Sequence, residues 1–318
     1  MKRGSSAKKK RAPEADGPSP APPRAGRVAI VGRPNVGKST LMNALVGEPL
    51  AITSSHPQTT RDRLSGVLTE GGVQYVFVDT PGIHAPRSKL GVRMNTLAED
   101  AARGADVVLF VTDAALPSPA DTKILATVPA AVPVVLVVNK VDTVRPKEKL
   151  LPTLEAWAKV REFSAIVPLS ARTGDGAERL LAEIERHLPE GDAIFPEEEL
   201  TDRPLRYFAA EYVREQILRA SRAEVPHGVA VVVEEYDESR RVPRIRLVVH
   251  VAKESHKAIV LGERGERMRQ IATSARARFE ALAGRQVHLE IFVRATPGWQ
   301  DNPRALSDLG YGGDTEET

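Results

Sequence analysis

Short apolar runs alternate with segments of helical spacing in the first part of the chain. The runs are rich in valine and isoleucine, as in parallel strands buried on both faces of a sheet, and they lie at residues 28–31, 106–112, 133–138 and 165–169. Helical spacing occurs at residues 40–46 and 147–161, while residues 64–69 and 74–78 flank Gly71-Gly72 as the strands of a hairpin. This order predicts a doubly wound α/β domain, which binds its ligand at the carboxyl ends of its strands.

A different order of elements begins at Leu205. Apolar residues with helical spacing come first, and two strand-like runs follow at residues 229–236 and 245–252. Next come the apolar run Ala258-Ile259-Val260-Leu261, the loop Gly262-Glu263-Arg264-Gly265, a long helix at about residues 266–283 and a last strand at residues 287–293. The order α-β-β-α-α-β around a Gly-x-x-Gly loop predicts an α+β KH module of type II.

Composition shifts mark the predicted domain boundaries. Prolines surround Glu197-Glu198-Glu199, which is typical of a linker. We therefore predict a disordered basic tail at residues 1–26, a first domain at 27–190, a linker at 191–203, a second domain at 204–299 and a C-terminal tail at 300–318.

The chain has 318 residues, a formal net charge of +3 and no cysteine. Without cysteine, disulfides, thiolate zinc sites and iron–sulfur clusters are excluded. The longest apolar runs are too short to span a bilayer, and the basic N-terminus is not followed by the apolar core of a secretory signal. We therefore expect a cytoplasmic protein.

Positive charge is concentrated in two places. Residues 1–26 and residues 204–299 each carry a surplus of five Lys and Arg over Asp and Glu, so the remainder of the chain is acidic. A basic arm attracts RNA or anionic lipid without sequence preference. The alternative is a solvated tail with no defined partner.

The first apolar run leads into a phosphate-binding pattern. Its residues are Gly32, Arg33, Pro34, Asn35, Val36, Gly37, Lys38 and Ser39, and Thr40 continues into a helix. Strand, Gly-rich turn and helix form the context that the pattern G-x-x-x-x-G-K-[ST] requires. Backbone N–H groups and the helix dipole converge there on phosphate oxygens. Lys38 can then reach the outer phosphates, and the Ser39 hydroxyl can bind Mg²⁺.

Two later segments complete the predicted phosphate site. The loop at residues 50–63 contains Thr59 and Thr60, and we favour Thr60 as the residue that binds Mg²⁺ and senses the γ-phosphate. The hairpin's second strand ends in Asp79-Thr80-Pro81-Gly82, where the carboxylate can hold a Mg²⁺-bound water and the glycine N–H can reach the γ-phosphate. The predicted metal site comprises Ser39, Thr60 and Asp79.

The predicted base site selects guanine. The run at residues 133–138 ends in Asn139-Lys140-Val141-Asp142. A carboxylate at Asp142 can accept from the two N–H donors on guanine's edge, a pattern that adenine does not present. The Asn139 amide can contact the opposite side of the ring, and the backbone of Ser170-Ala171 can cover the base oxygen. Four motifs in this order predict a P-loop GTPase domain followed by the KH module.

Hydrolysis is expected to be slow. Ile83 follows Gly82 at the position where Ras-like GTPases carry a glutamine that orients the attacking water. We expect backbone groups of the Thr60 loop and of Gly82 to hold the water, and we hypothesise that Asn35 recruits K⁺ as a substitute for an arginine finger. The predicted catalytic residues are Lys38, Asn35, Thr60 and Gly82.

RNA is the predicted ligand of the second domain. Arg264, Arg267 and Arg269 can neutralise phosphates of a single strand. We expect Trp299 to pack in a core or linker and not to stack on a base. His84, His227, His250, His256 and His288 show no metal-ligand spacing, so packing or surface roles are expected of them.

Residues 27–312 resemble the Era family of bacterial GTPases, in which a G domain is joined to a C-terminal type II KH domain. Beyond the general GTPase motifs, the resemblance is carried by Pro57-Gln58-Thr59-Thr60-Arg61, Asp79-Thr80-Pro81-Gly82-Ile83-His84, Leu90-Gly91, Met94-Asn95, Thr201-Asp202-Arg203, Gly298-Trp299 and Leu309-Gly310-Tyr311. It implies cyclic binding of GTP and GDP with Mg²⁺, and capture of the 3′ end of 16S rRNA by the KH groove. It also implies a role in 30S subunit maturation and loose association with the cytoplasmic membrane face. We expect a monomer.

The resemblance also implies which residues form the RNA groove. They are Ile259, Val260, Leu261, Gly262, Glu263, Arg264, Gly265, Arg267, Met268, Arg269 and Ile271. The chain departs from the family pattern at the acidic Glu263, which places a like charge near RNA phosphates, and in its tail at residues 1–26.

Three other functions remain open. The missing glutamine favours an RNA-binding assembly chaperone that uses nucleotide as a latch with little turnover. The basic tail favours a membrane-surface signalling GTPase. A tRNA-modifying GTPase with a related G domain is the third, but the absence of cysteine and the KH pattern argue against it.

Overall fold

The computed structural model describes residues 22–221 and 228–312. In the first domain a six-stranded sheet has the order β2-β3-β1-β4-β5-β6. Its strands are β1 (Arg24–Val31), β2 (Leu64–Glu70), β3 (Val73–Asp79), β4 (Val107–Asp113), β5 (Val134–Asn139) and β6 (Ala165–Pro168). Only β2 runs antiparallel to its neighbour, and the other pairs of described strands are parallel. The predicted doubly wound sheet is confirmed.

Helices cover both faces of this sheet. They are α1 (Lys38–Val46), α2 (Lys89–Arg103), α3 (Pro119–Leu125), α4 (Leu151–Ala158) and α5 (Ala177–Glu185). The predicted helix at residues 147–161 is shorter in the structure, because a 3₁₀ turn (Lys147–Leu150) precedes α4. Pro152 fits the first turn of α4, where the N–H that proline lacks has no helical partner.

The first domain begins before residue 27, where the sequence placed its N-terminal boundary. Strand β1 begins at Arg24, which pairs with Val73 of β3, and the Arg24 guanidinium donates to the Leu188 carbonyl at 2.7 Å. These contacts come from residues far along the chain, so the local composition of the tail did not reveal them. Residues 1–21 of the predicted tail lie outside the described residues.

The second domain has the order α-β-β-α-α-β. Its elements are α6 (Leu205–Ala220), β7 (Val229–Asp237), β8 (Arg244–Val251), α7 (Glu254–Leu261), α8 (Glu266–Ala283) and β9 (His288–Ala295). β7 and β8 are antiparallel, and β8 and β9 are parallel. Helices α6 and α8 pack together, and Phe208, Ile217 and Phe279 are buried in the core beneath them. The predicted KH module is confirmed.

The segment predicted as a linker lies along the β2–β3 edge of the first sheet. The Gln74 side chain accepts from the backbone N–H groups of Ile194 and Phe195 at 2.7 and 2.9 Å. The Val67 N–H donates to the Leu200 carbonyl at 2.9 Å. The linker therefore approaches the second domain along a fixed path.

The described part of the predicted C-terminal tail forms helical turns and packs against the first domain. A turn (Trp299–Asp301) precedes α9 (Pro303–Leu306), and a π-helical segment (Ser307–Tyr311) follows. Their apolar side chains form one cluster with Leu90 and Met94 of α2. Trp299 is fully buried there, as expected, and its indole N–H donates to the Gly228 carbonyl at 3.2 Å.

Among the described residues, no helix is both long enough and apolar enough to cross a bilayer.

Candidate functional site

The phosphate loop joins β1 to α1 at the carboxyl edge of the sheet. Gly37 has φ 101°, and a Cβ there would lie 2.3 Å from the Asn139 side-chain nitrogen. Only glycine therefore allows the loop to approach the end of β5 so closely. The loop borders a cavity of about 330 Å³ that is also lined by the Thr60 loop, Gly82 and Lys140.

Lys38 is almost completely buried beneath the phosphate loop. Its ammonium group donates to the carbonyls of Gly32 and Arg33 at 3.2 and 3.0 Å. Burial lowers the pKa of Lys38 to about 8, although the nearby Asp79 carboxylate opposes the shift. The cation is thus held inside the loop by carbonyls, at the position from which a bound phosphate would attract it.

Three oxygen-bearing side chains meet beside the phosphate loop. The Ser39 hydroxyl donates to Asp79 Oδ2 at 2.6 Å and lies 2.9 Å from the Thr60 hydroxyl, which is 3.3 Å from the same carboxylate oxygen. Thr59 points elsewhere, because its hydroxyl donates to the His56 carbonyl at 2.7 Å. The geometry brings Thr60, and not Thr59, to the predicted metal site.

This cluster fits Mg²⁺. Asp79 is fully buried, and its second carboxylate oxygen, Oδ1, has no hydrogen-bond partner among the described residues. Burial raises the pKa of Asp79, and the Lys38 charge acts in the opposite direction. A buried carboxylate with a free oxygen and two hydroxyl groups within hydrogen-bond distance is a set of hard oxygen ligands, which Mg²⁺ prefers.

The predicted base-binding residues are joined by hydrogen bonds. Asp142 accepts from the Ser170 hydroxyl at 2.7 Å, a bond that lowers the pKa of Asp142, and its other oxygen pairs with Arg172 at 2.5 Å. The Arg172 side chain is 77% exposed. Exposed ion pairs contribute little energy, so the two N–H donors of guanine can replace this arginine on the carboxylate.

Asn139 also ties three loops together, a role that its motif did not indicate. Its side-chain nitrogen donates to the Val36 carbonyl at 2.9 Å, and its oxygen accepts from the backbone N–H groups of Lys140 and Ala171 at 2.7 and 2.9 Å. The side chain stands at the end of a buried strand, where these loops meet. Its first effect is therefore to hold the base-binding loops against the phosphate loop.

Asn35 connects the phosphate loop to the Thr60 loop. Its side-chain amide nitrogen donates to the Ser55 carbonyl at 2.9 Å, and its backbone carbonyl accepts from the Lys140 ammonium at 2.6 Å. Both carbonyl oxygens are thus occupied by N–H donors in this structure. A K⁺ ion at Asn35 would have to replace these donors.

The side chain of Ile83 faces the core, and its neighbour links two loops. The Ile83 N–H donates to the Gly32 carbonyl at 3.3 Å, while its side chain packs against an apolar cluster. His84 Nδ1 donates to the Gly82 carbonyl at 2.9 Å, and His84 Nε2 lies 2.8 Å from the amide nitrogen of Gln58. His84 is therefore not the packing or surface residue that was expected, because it bridges the Gly82 and Thr60 loops.

Some predicted nucleotide-binding residues do not line the cavity. Val36, Thr80 and Val141 have buried side chains, and the Thr80 hydroxyl donates to the Ile30 carbonyl at 2.7 Å. Arg33 extends to α3, where it pairs with Asp121 at 2.7 Å and Asp113 at 3.3 Å. No sequence signal identified these acidic partners, since they come from elements remote in the sequence.

The Gly-x-x-Gly loop projects from the second domain between α7 and α8. Gly262 has φ 73°, and a Cβ there would lie 2.6 Å from the Cβ of Arg267. Glu263, Arg264 and Arg269 are exposed. The Arg267 guanidinium donates to the Ile259 carbonyl at 2.5 Å, so this arginine also closes the loop.

Only part of the predicted apolar RNA groove is accessible. Ile259 is 42% exposed and Leu261 is partly buried, but the side chains of Val260, Met268 and Ile271 are buried in the core. These three cannot contact RNA in this conformation. Met268 and Ile271 lie on one face of α8, as helical spacing requires, and that face and Val260 of α7 pack into the core of the domain.

The Thr60 loop is held by the second domain at both of its ends. Arg61, directly after Thr60, is buried, donates to the Val229 carbonyl and lies 5.7 Å from the centre of the Trp299 ring. Near the start of the loop, the Thr53 N–H donates to the buried Glu215 carboxylate at 3.0 Å. Arg278 binds both Glu215 and the Pro49 carbonyl.

Comparison with family models identifies both domains. Residues 27–140 match the model described as a 50S ribosome-binding GTPase, and residues 224–300 match the model of the KH domain. The chain is 45% identical over 289 residues to the protein named GTPase Era from Bordetella pertussis, which covers 91% of this chain and 98% of that relative. GTPase Era from a Geobacter species is 44% identical over 291 residues, with 91% and 98% covered.

Two solved structures have the same fold over almost their whole length. One is an Era variant from Aquifex aeolicus bound to GDP.AlF4−, with 38% identity, a TM-score of 0.88, and coverage of 91% of this chain and 99% of that one. The other is Era in complex with MgGDPNP and nucleotides 1506–1542 of 16S ribosomal RNA, with the same identity, score and coverage.

Proposed function

The chain belongs to the GTPase Era family, and from that premise we propose that it binds the 3′ end of 16S rRNA during maturation of the 30S subunit, with the bound nucleotide setting the affinity. Its activity is hydrolysis of GTP to GDP and phosphate. Its partners on this proposal are GTP or GDP, the rRNA segment and the 30S subunit. It acts as a monomer in the cytoplasm.

One observation carries the coupling between nucleotide and RNA. Thr60 lies in the predicted Mg²⁺ site beside Ser39 and Asp79. The next residue, Arg61, is buried against Val229 and Trp299 of the second domain. A movement of Thr60 toward or away from a γ-phosphate therefore displaces a residue on which the KH domain rests. Such coupling is reciprocal, so RNA also changes the affinity for GTP.

The residues of the first domain have distinct tasks in hydrolysis. Ser39, Thr60 and Asp79 would hold Mg²⁺, which when bound neutralises charge on the phosphates. Lys38 supplies positive charge to the outer phosphates, and the Gly82 N–H and the backbone of the Thr60 loop orient the water. We assign Asn35 to a K⁺ site, because it lies within the phosphate loop and Ile83 stands where Ras-like GTPases carry glutamine; K⁺ would replace the Asn35 N–H at the Ser55 carbonyl.

The proposal that the second domain binds rRNA is supported by its Gly-x-x-Gly loop and by the structure of a related Era protein. The Gly-x-x-Gly loop allows close approach of a sugar-phosphate backbone, and Arg264 and Arg269 lie exposed beside it. The Era structure with nucleotides 1506–1542 of 16S rRNA has the same fold at 38% identity. We place the RNA groove along Ile259, Leu261, Gly262 to Gly265 and the first turn of α8.

The test measures RNA binding and turnover in one preparation. Anisotropy of a labelled RNA matching the 3′ end of 16S rRNA should show tighter binding to GDPNP-loaded than to GDP-loaded protein. The variant Gly262→Asp with Gly265→Asp should lose RNA binding and keep nucleotide binding. Equal RNA affinity in both nucleotide states would contradict the proposal.

The rate of GTP turnover distinguishes the proposed function from the alternative of an RNA-binding chaperone that uses nucleotide as a latch. The apolar Ile83, in place of a water-orienting glutamine, favours a chaperone with little turnover. GTP hydrolysis should rise when the RNA or 30S subunits are added; no turnover and no stimulation would favour the latch.

Peripheral membrane contact is assigned to the basic residues 1–26. Deleting residues 1–21, which precede β1 and hold all of these basic residues except Arg24, should abolish binding to anionic vesicles and leave RNA binding unchanged. If the deletion abolished the protein's function in the cell while the double glycine variant did not, a membrane-surface signalling role would replace the proposed role in 30S maturation.

A further inference from the structure

GTP hydrolysis needs a group that orients the attacking water, and the Ile83 side chain cannot supply one. It packs against an apolar cluster, and an aliphatic chain has no atom that accepts a hydrogen bond. In Ras-like GTPases a glutamine performs this task. Among the described residues that line the nucleotide cavity, Gln58 is the one glutamine, and it lies two positions before Thr60.

The side-chain amide of Gln58 is held by His84. Its nitrogen lies 2.8 Å from His84 Nε2, and His84 Nδ1 lies 2.9 Å from the Gly82 carbonyl. Because a carbonyl oxygen only accepts, Nδ1 carries the ring proton, and Nε2 of the neutral ring accepts from the amide. The Asn95 side chain donates to the His84 carbonyl at 2.8 Å. One fixed ring thus joins Gln58 to Gly82, the residue assigned to the γ-phosphate.

The amide oxygen of Gln58 is left as an acceptor. The ring engages the amide nitrogen, and the oxygen has no hydrogen-bond partner within residues 22–221 and 228–312. The Gln58 backbone has φ 62°, in the left-handed region that a non-glycine residue keeps when its surroundings hold it there. The side chain is therefore fixed at its backbone and at its amide nitrogen, beside the cavity that receives the nucleotide.

We propose that Gln58 is a catalytic residue whose amide oxygen accepts a hydrogen bond from the attacking water, and that His84 is a positioning residue that holds the amide. The water oxygen bonds to the γ-phosphorus while the bond from that phosphorus to GDP breaks, and its electron pair leaves with GDP. Both water protons leave with the released phosphate. Gln58 takes no proton, in keeping with a reaction that depends on positioning and electrostatics.

This role of Gln58 rests on the proposed function, in which the chain hydrolyses GTP, and it does not depend on RNA. The glutamine would come from the Thr60 loop, and not from the position directly after Gly82. Because the second domain holds both ends of this loop, a movement of the loop would place or withdraw the amide. Turnover would then follow the position of the loop, whereas nucleotide affinity would not require Gln58.

The experiment measures kcat and KM for GTP with full-length protein and Mg²⁺, without RNA. Gln58→Met keeps an unbranched side chain of similar length and removes the amide. It should lower kcat about tenfold, the effect of one hydrogen bond made only in the transition state. KM for GTP and the affinity for GDPNP should change less than about twofold, because the ground state does not use this bond.

Substitutions of two histidines complete the set. His84→Ala should lower kcat about threefold, because a side chain released into three staggered wells about one torsion faces the water for about a third of the time. Gln58→Met combined with His84→Ala should be no slower than Gln58→Met, since His84 acts through the missing amide. His56→Ala is the matched control and should leave kcat unchanged, because His56 lies in the same loop and its described hydrogen bonds come from its backbone.

Four outcomes would overturn the role of Gln58 or of His84. Unchanged kcat in Gln58→Met would exclude the water contact, and a matching fall in GDPNP affinity would mean that Gln58 supports binding and not the chemical step. Equal kcat in Gln58→Met and His84→Ala would mean that the pair only ties two loops together. A double variant slower by the product of both factors would remove His84 as a positioning residue.

The wild type separates this role from the proposed function. Turnover that Gln58→Met leaves unchanged would overturn the catalytic role alone and leave hydrolysis by this chain standing. Absence of turnover in the wild type, with and without 30S subunits, would overturn both.

Discussion

Lys38 carries its charge in a place that water scarcely reaches. Burial lowers its pKa from 10.5 to about 8 in the folded protein without nucleotide. Between these values the unfolded chain binds a proton that the folded chain has lost, so the free energy of unfolding increases as the pH rises. The cost of the buried ammonium is therefore greatest below pH 8.

The first prediction follows from this increase in the free energy of unfolding with pH. Without nucleotide, the wild type should gain about 2 kcal/mol of stability relative to Lys38→Met between about pH 7.5 and 9.5. Urea denaturation of both proteins at the two pH values measures this difference. A constant difference would mean that Lys38 titrates alike in the folded and unfolded states.

The second prediction uses the two neighbouring threonines. Thr60→Ala removes a hydroxyl from the cluster with Ser39 and Asp79, whereas Thr59→Ala removes one that bonds to His56. With Mg²⁺ present, Thr60→Ala should weaken GDPNP binding about tenfold and change GDP binding little. Thr59→Ala should have the smaller effect on GDPNP. Comparable losses in the two variants would refute our choice of Thr60.

The third prediction concerns Asn35. If its amide and the Ser55 carbonyl hold K⁺, GTP turnover should be faster in potassium than in sodium, and Asn35→Ala should remove the difference. Turnover by both proteins in the two salts, at equal ionic strength, measures this. Equal wild-type rates in the two salts would exclude a role for K⁺.

At the scale of elements, the Gly-x-x-Gly loop combines opposite charges within one turn. Glu263 and Arg264 are both exposed, and Arg264 has φ 47°. A carboxylate near RNA phosphates repels them, while the arginine neutralises one. The loop's affinity for RNA is therefore a balance between these neighbours.

The fourth prediction separates the two charges. Glu263→Gln should strengthen RNA binding, and Arg264→Gln should weaken it and lower the salt slope by about one. Anisotropy titrations over a range of KCl concentrations give affinity and slope together. If both substitutions left the slope unchanged, RNA would not contact this loop.

The whole molecule is joined through the Thr60 loop. Its two ends lie on the second domain, at Glu215 and at Val229, while its centre borders the nucleotide cavity. The cluster of α2 with Trp299, Leu306 and Leu309 forms a second contact between the domains. The interface therefore has two parts. The Thr60 loop borders the nucleotide cavity, whereas the α2 cluster lies outside the lining of that cavity.

The fifth prediction tests this connection. Arg61→Ala should remove the difference in RNA affinity between GDPNP-loaded and GDP-loaded protein, while Arg87→Ala, at an exposed arginine, should preserve it. RNA titrations in both nucleotide states measure the ratio for each variant. A full nucleotide effect in Arg61→Ala would show that the signal takes another route.

The sequence alone determined the order of elements and the family. The phosphate loop, Asp79-Thr80-Pro81-Gly82 and Asn139-Lys140-Val141-Asp142 each combine a special backbone shape with a fixed chemistry, so their local spacing suffices to identify them. Helix α8 also follows from spacing, because its apolar residues recur on one face over eighteen residues. Such signals are local, and folding preserves them.

Only the tertiary structure decided which distant residues meet. The burial of Arg61 by Val229, the pairing of Arg172 with Asp142, and the packing of the C-terminal segment on α2 join residues far apart in the sequence. Periodicity likewise placed Met268 and Ile271 on one face of α8, but whether that face meets RNA or the core depended on α6 and the sheet. Contacts of this kind depend on how elements pack within each domain and between the two domains, which no local pattern encodes.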